Sequence, residues 1–263
     1  MTLALEGTGL RLGVGGRGGE GATVEVGEWE IVGVVGPTGA GKTTLLDALS
    51  GIVRPRRGVV RIRGVDVTAL PAHQRAAMGV ARTFERPAAV PTLTVMDNLL
   101  LAQHGHVRYG WLGGMWGWPG TFLEERELAR NAEEILDFLG MWDLRRVPAG
   151  ELSWKARRRC DLAMALATDP TVLLMDEPSA GMDAAEVQDL AGELSVLRSE
   201  LNLTILLAEH HVQLVAETCD LAYVMSSGQV VARGAPSEIG HHPALVASYL
   251  GEPPPPEDAG VTD

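Results

Sequence analysis

The sequence predicts an α/β fold carrying an inserted, mostly helical segment, and three observations lead to that expectation. Apolar runs of strand length stop abruptly at Gly or acidic residues, at residues 31–35, 172–175 and 203–208. Stretches of helical period lie between them. From about residue 86 to residue 165 the helical pattern takes over.

Taken in order, residues 23–26 alternate as a half-buried strand does, and residues 31–35 form a short apolar run that ends at Gly36. A Gly-rich turn leads into a helix over residues 43–49, with Gly51 as its natural stop. Pro55 and Gly58 then punctuate a hairpin-like stretch containing residues 59–63. Within the helical insertion, Val95, Leu99 and Leu100 mark one helical stretch, and Leu128, Ile135, Leu136 and Leu139 another. Residues 105–120 combine Gly with Tyr109, Trp111, Trp116 and Trp118 without a period, and read as a loop. Two readings of these aromatics stand side by side: contact with a membrane partner, or a cap on the insertion's own small core.

The run 172–175 is a strand that delivers Asp176 and Glu177 to its C-terminal edge, where open α/β sheets bind ligands. A helix marked by Val187, Leu190, Leu194 and Leu197 follows. The next buried run, 203–208, ends in Glu209, His210 and His211. Residues 221–234 read as two strands around 226–229, a closing helix is expected near 243–250, and the Pro-rich acidic tail 252–263 is expected to be disordered.

Composition narrows the function. A chain of 263 residues with 46% hydrophobic and 21% charged residues suits one large domain over residues 1–251, or a core with a smaller insertion. A formal charge of −12 argues against broad contact with a nucleic-acid backbone, which needs concentrated positive charge. The arginine clusters Arg54, Arg56, Arg57 and Arg157, Arg158, Arg159 are expected on solvated faces. Cys160 and Cys219 form no CxxC or Cys/His cluster and read as buried thiols. No apolar run approaches the roughly 20 residues a membrane span needs, and residues 1–17 lack the features of a signal peptide, so a cytoplasmic location is expected.

Gly36, Pro37, Thr38, Gly39, Ala40, Gly41, Lys42, Thr43 and Thr44 fit GxxxxGK[ST] between a predicted strand and a predicted helix, the context of a P-loop. Glycines let successive backbone N–H groups converge on phosphate oxygens, and the helix N-terminus adds its dipole. Lys42 should reach the β and γ phosphates, and Thr43 should offer its hydroxyl to Mg²⁺. A chance match is disfavoured because Lys42 is one of only two lysines in the chain, with Lys155. Asp176 and Glu177 follow their strand as a Walker B pair would, the first for Mg²⁺ and the second to polarise an attacking water. His210, ending another strand, could contact the γ phosphate.

GPTGAGKTT, LLMDEPSAGMD and LLAEHH, in this order across residues 3–251, resemble the nucleotide-binding subunits of ABC transporters. Residues 81–85, 95–104 and the ending SYLGE look like the branched-chain amino acid importer group, which includes urea and amide importers. The resemblance implies an ABC ATPase fold, a P-loop NTPase core with an antiparallel β subdomain and an inserted helical subdomain at about 86–165. It also implies ATP and Mg²⁺ as ligands and attachment to the inner face of the membrane. A second ATPase subunit, two membrane permease subunits and, indirectly, an extracytoplasmic solute-binding protein would be partners. By position, Gly181 to Asp183 belong to the loop linking two ATP sites, and His210 is the switch histidine.

Three departures from the family pattern bear on mechanism. Glu85 stands where the family has a glutamine that touches Mg²⁺; a carboxylate still ligates the ion but adds negative charge beside phosphates, and an ordinary surface glutamate is the other reading. The signature LSGGQ becomes Leu152-Ser153-Trp154-Lys155-Ala156. Ser153 keeps the helix start that would face a partner's phosphate, whereas Trp154 replaces a glycine that permits close approach; a plain capped helix with no partner role stands beside that reading. Finally, residues 10–28 contain no aromatic to stack adenine, and the nearest is Trp29. One lost stack costs about 1 to 3 kcal/mol.

An intact P-loop beside an altered signature points to a heterodimer, with a homodimer as the alternative pairing. In it, ATP on this chain's own loop is hydrolysed with the partner's signature, and the site completed by Trp154 turns over slowly. The rival is a regulatory subunit that holds nucleotide without turnover. An ABC-type ATPase working without a membrane partner is disfavoured, because such proteins usually carry two cassettes or long coiled-coil insertions.

Overall fold

Punctuation by Gly and acidic residues falls where the chain leaves its strands. The computed structural model describes residues 2–12, 21–106, 119–240, 243 and 245–246. The aromatic segment at 109–118 and the acidic tail at 252–263 lie outside the described residues, as does most of the closing helix, of which 243, 245 and 246 are helical. The chain divides into two units, Met1–Val80 with Thr171–Asp263, and Ala81–Pro170.

In the first unit an antiparallel sheet, ordered β2-β1-β4-β5, is built from β1 (Leu3–Leu10), β2 (Ala22–Gly27), β4 (Val59–Ile62) and β5 (Val65–Asp66). Arg63 and Gly64, both at positive φ, make the two-residue turn of the β4–β5 hairpin. The larger sheet has the order β10-β9-β3-β8-β7-β6, from β3 (Ile31–Val35), β6 (Val80–Thr83), β7 (Val172–Asp176), β8 (Thr204–Glu209), β9 (Leu221–Ser226) and β10 (Gln229–Gly234). Strands β3, β7, β8 and β9 run parallel, and β10 returns antiparallel from β9 around Ser227 and Gly228. Every residue of β3, β7 and β8 is buried, which is why these strands read as continuous apolar runs rather than alternating ones.

Helix α1 (Lys42–Ser50) ends at Gly51, whose φ of 82° only glycine adopts freely. Its C-terminal carbonyls on Ala48 and Leu49 accept from Arg75 Nη1 at 2.7 and 2.8 Å, and Arg75 comes from the short helix α2 (Ala72–Ala76). A buried guanidinium is tolerated there because it faces carbonyls at the negative end of a helix dipole. Burial pulls its pKa down from the ordinary value. The helix Ala184–Leu201 buries Val187, Leu190, Leu194 and Leu197, the four residues its period singled out, and Asp183 and Glu186 close a capping box at its start. Leu45, Leu46, Leu49, Val34, Leu174 and Leu206 share one core with both sheets, and each fully buried leucine contributes about 1.5–3 kcal/mol.

The second unit holds α3 (Val95–Ala102), α4 (Pro119–Phe138) and α5 (Trp154–Leu166). The segment expected to loop from 105 to 120 is helical from Pro119 onward. The helix Ala184–Leu201 is α6, followed by α7 (Val212–Thr218) and α8 (Pro236–Ile239) among the described residues. No helix among the described residues is long and apolar enough to cross a membrane.

Two surface expectations need correction. Arg157, Arg158 and Arg159 are half-buried rather than solvated; Arg157 donates to the carbonyls of Gly150 and Leu152 and Arg158 to that of Glu85. Cys160 is buried as expected but Cys219 only partly so, and burial pushes both thiols up to about 12.

Candidate functional site

Strand register assembles the candidate site. Val35 pairs with Glu209 across β3–β8, and Asp176 with Ala208 across β7–β8. The residues that follow, Gly36, Glu177 and His210, therefore leave neighbouring strands at one edge, the C-terminal edge at which parallel sheets bind ligands.

The loop from Gly36 to Gly41 is folded by glycine. A Cβ on Gly36 would lie 2.2 Å from the Met225 carbonyl oxygen, so β9 can pass behind the loop only with glycine there. Gly41, at φ 100°, caps α1 without a side-chain hydrogen bond, which leaves the first-turn N–H groups to an external acceptor. The Ala40 N–H donates to Pro37, and the Gly228 N–H donates to the Ala40 carbonyl at 2.8 Å, so the β9–β10 turn braces the loop. Pro37, Thr38 and Gly39 complete its outer curve, with Gly39 at φ 83° and Thr44 in the first turn of α1.

Lys42 is only 4% exposed, and its ammonium donates to the carbonyls of Gly36 at 2.8 Å and Pro37 at 3.2 Å. Its Nζ also lies 3.7 Å from Glu177 Oε1. A cation so buried requires partners of this kind. The loop thus wraps its own ammonium, ready to face an anion held by the surrounding N–H groups.

Thr43 Oγ1 donates to Asp176 Oδ1 at 3.2 Å, bringing a hydroxyl and a buried carboxylate together across 133 residues of sequence. These are hard oxygen donors suited to Mg²⁺, which keeps several waters and takes one or two protein ligands beside phosphates. No cluster of three or more His, Cys, Asp or Glu able to hold a metal occurs among the described residues.

Glu177 sits at φ 47°, a left-handed conformation that costs a non-glycine residue about 1–2 kcal/mol. Its N–H donates to the Ala208 carbonyl at 2.8 Å, which holds the turn. His210 Nδ1 lies 3.5 Å from Glu177 Oε2, so the carboxylate stands between an ammonium and an imidazole. That arrangement suits a carboxylate acting on a water beside a bound anion.

The sequence reading assigned no role to Glu209. Its carboxylate is fully buried and accepts from the N–H groups of Ser179 at 2.8 Å, His210 at 3.0 Å and His211 at 3.3 Å. An acidic residue closing an apolar run was its only sequence signal. The adjacent Ser179 hydroxyl is buried with no hydrogen-bond partner, a cost of about 1–3 kcal/mol.

Trp29 lies on the turn that enters β3, at φ 61° and 60% exposed. Gly36 lies beyond the far end of the five-residue strand, which spans about 17 Å at roughly 3.3 Å per residue. Trp29 therefore stands at the opposite end of β3 from the loop.

Glu85, Ser153 and Trp154 belong to the second unit. Ser153 caps α5 by accepting from the Ala156 N–H at 3.3 Å. Trp154 is the first residue of that helix, in ordinary helical backbone, half exposed, with the Arg158 guanidinium 5.4 Å from its ring centroid. Glu85 is exposed. The buried Asp161 fixes the backbone around it by accepting from the N–H groups of Phe84 at 3.4 Å and Ala88 at 2.8 Å, and Arg158 donates to the Glu85 carbonyl at 3.2 Å. Burial raises the Asp161 pKa, against the opposing pull of those two N–H groups.

The ABC transporter family pattern matches residues 20–180. The chain is 36% identical over 249 residues to the high-affinity branched-chain amino acid transport ATP-binding protein BraF of Pseudomonas aeruginosa, covering 94% of this chain and 98% of the relative. It is 36% identical over 223 residues to the corresponding protein LivG of Escherichia coli, covering 85% and 88%. Among solved structures, an ATP-binding cassette of an ABC transporter in its ADP conformation superposes with a TM-score of 0.81 at 28% identity, covering 96% of this chain and all of the other.

Proposed function

Because the chain belongs to the ABC transporter family, we propose that it is the ATP-binding and hydrolysing subunit of an importer for branched-chain amino acids or related small polar solutes such as urea and amides. The observation that carries this reading is the buried Lys42 ammonium, enclosed by its own loop and in reach of Glu177, which in turn meets His210. The names of the 36% identical relatives support the substrate class.

In this account residues 1–251 act as one nucleotide-binding domain. The loop N–H groups from Gly36 to Thr44 and the Lys42 ammonium hold the phosphates of ATP. Thr43 and Asp176 would hold Mg²⁺; when bound, the ion neutralises phosphate charge. Glu177 orients and deprotonates the attacking water, and His210, kept beside that carboxylate, contacts the terminal phosphate. The subunit lies on the inner face of the membrane, against two permease subunits served by an extracytoplasmic solute-binding protein.

The second ATPase subunit is, in this proposal, a different chain. Trp154 places a bulky ring at the helix start that would face the partner's nucleotide, while Ser153 still caps it. One composite site, using this chain's loop, then hydrolyses ATP, and the opposite one turns over slowly. The same exposed Trp154 favours a second reading, a catalytically impaired regulatory subunit. Single-turnover assays on the purified complex separate the two: hydrolysis that depends on Glu177 supports the motor, and ATP binding without turnover supports the regulator. The transport role is tested by ATP-driven uptake of radiolabelled leucine or urea into vesicles holding the whole complex. Lys42→Ala should abolish uptake, and undiminished uptake contradicts the proposal.

A further inference from the structure

We infer that Glu209 is a positioning residue that sets His210 and the loop after Glu177 in one fixed relation; the inference rests on the hydrolytic reading above. Glu209 ends β8, and its side chain points inward with no exposed surface. One carboxylate oxygen accepts from the Ser179 N–H, on the loop that follows β7. The other accepts from the N–H groups of His210 and His211, at the start of the loop that follows β8. Two chain segments 30 residues apart are thereby tied to one rigid arm.

The segment it grips is not at rest by itself. Glu177 is in the left-handed region, and two residues on, the buried Ser179 hydroxyl lacks a partner. Backbone held against such local costs needs an outside restraint. The Glu209 carboxylate supplies it through charge-assisted bonds from three N–H groups. A carboxylate is acceptor only and can serve all three donors, whereas a neutral amide of the same shape would turn an NH₂ toward at least one of them.

Glu209 makes no contact with Lys42, Thr43 or the loop N–H groups among its bonds, so its loss should leave ATP binding intact and disturb turnover. In the purified transporter complex, Glu209→Gln is expected to lower kcat at least ten-fold while KM and the ATP affinity measured by calorimetry stay within two-fold. Combined with His210→Ala, it should cost less than the product of the two single losses, since part of its effect passes through that histidine. Should Glu209→Gln fail to fold, Glu209→Asp keeps the charge on a shorter arm and is expected to show the same split. An unchanged kcat, a loss of ATP affinity in step with kcat, or additive effects with His210→Ala overturns the inference. Absence of ATP binding or hydrolysis in the wild-type complex would instead refute the hydrolytic reading.

Discussion

Lys42 Nζ and Glu177 Oε1 lie 3.7 Å apart, joining the first residue of α1 to the first residue beyond β7. The pair is partly enclosed, with Lys42 buried and Glu177 about one-fifth exposed. The group expected to hold phosphate therefore touches the group expected to act on water, before any ligand is considered.

Glu177→Gln separates the two roles. The amide keeps the shape and leaves Lys42 its two carbonyl partners, so ATP affinity should hold within a few-fold. Turnover should fall by about 10²–10⁴, the usual contribution of a general base. Steady-state ATPase and equilibrium binding on the same preparation check both halves.

Asymmetry between the two composite sites has its own test. Glu177→Gln in this chain should remove most hydrolysis by the purified complex, whereas the equivalent substitution in the partner ATPase should remove little. Equal losses from the two substitutions would show that Trp154 does not slow the site it completes.

Trp29→Gly probes the base. Because Trp29 stands at the opposite end of β3 from the phosphate loop, ATP affinity should change by less than two-fold. A stacking role would instead cost about 1–3 kcal/mol, or roughly five- to 150-fold in affinity.

Cys160 predicts alkaline sensitivity. Its thiol is raised to about 12 by burial, against an ordinary value of 9.0, so above pH 9 the unfolded chain gives up a proton that the folded chain keeps. The stability tied to this thiol is present below pH 9 and is lost as pH rises toward 12, by up to about 1.4 kcal/mol per pH unit. Urea unfolding at pH 8 and pH 10 should show a steeper loss for the wild type than for Cys160→Ala.

What the sequence disclosed and what it hid divide along physical lines. The meeting of Lys42, Thr43, Asp176 and Glu177 at one strand edge was legible because a Gly-rich loop and a strand ending in two carboxylates are written in consecutive residues. The buried strands β3, β7 and β8 were legible because burial on both faces leaves an apolar run. Strand β1 was missed because Gly7, Thr8 and Gly9 interrupt its pattern, and its pairing with β2 and β4 overrides that weak signal. Glu209, Asp161 and Arg75 act on backbone 26 to 77 residues away, so their roles follow from strand and helix packing that local pattern does not contain. The half-burial of Arg157 and Arg158 was hidden for the same reason: a charge run looks solvated until the carbonyls it reaches are known.

The most direct measurement is calorimetric titration of the wild-type protein and Lys42→Ala with ATP in the presence of Mg²⁺. The wild type should bind one ATP per chain, and removal of the ammonium should weaken binding by at least ten-fold, as expected for a charge-assisted bond worth about 1.5–3 kcal/mol. No heat of binding in the wild type, or equal affinities in the two proteins, would contradict the assignment of the 36–44 loop as the ATP site.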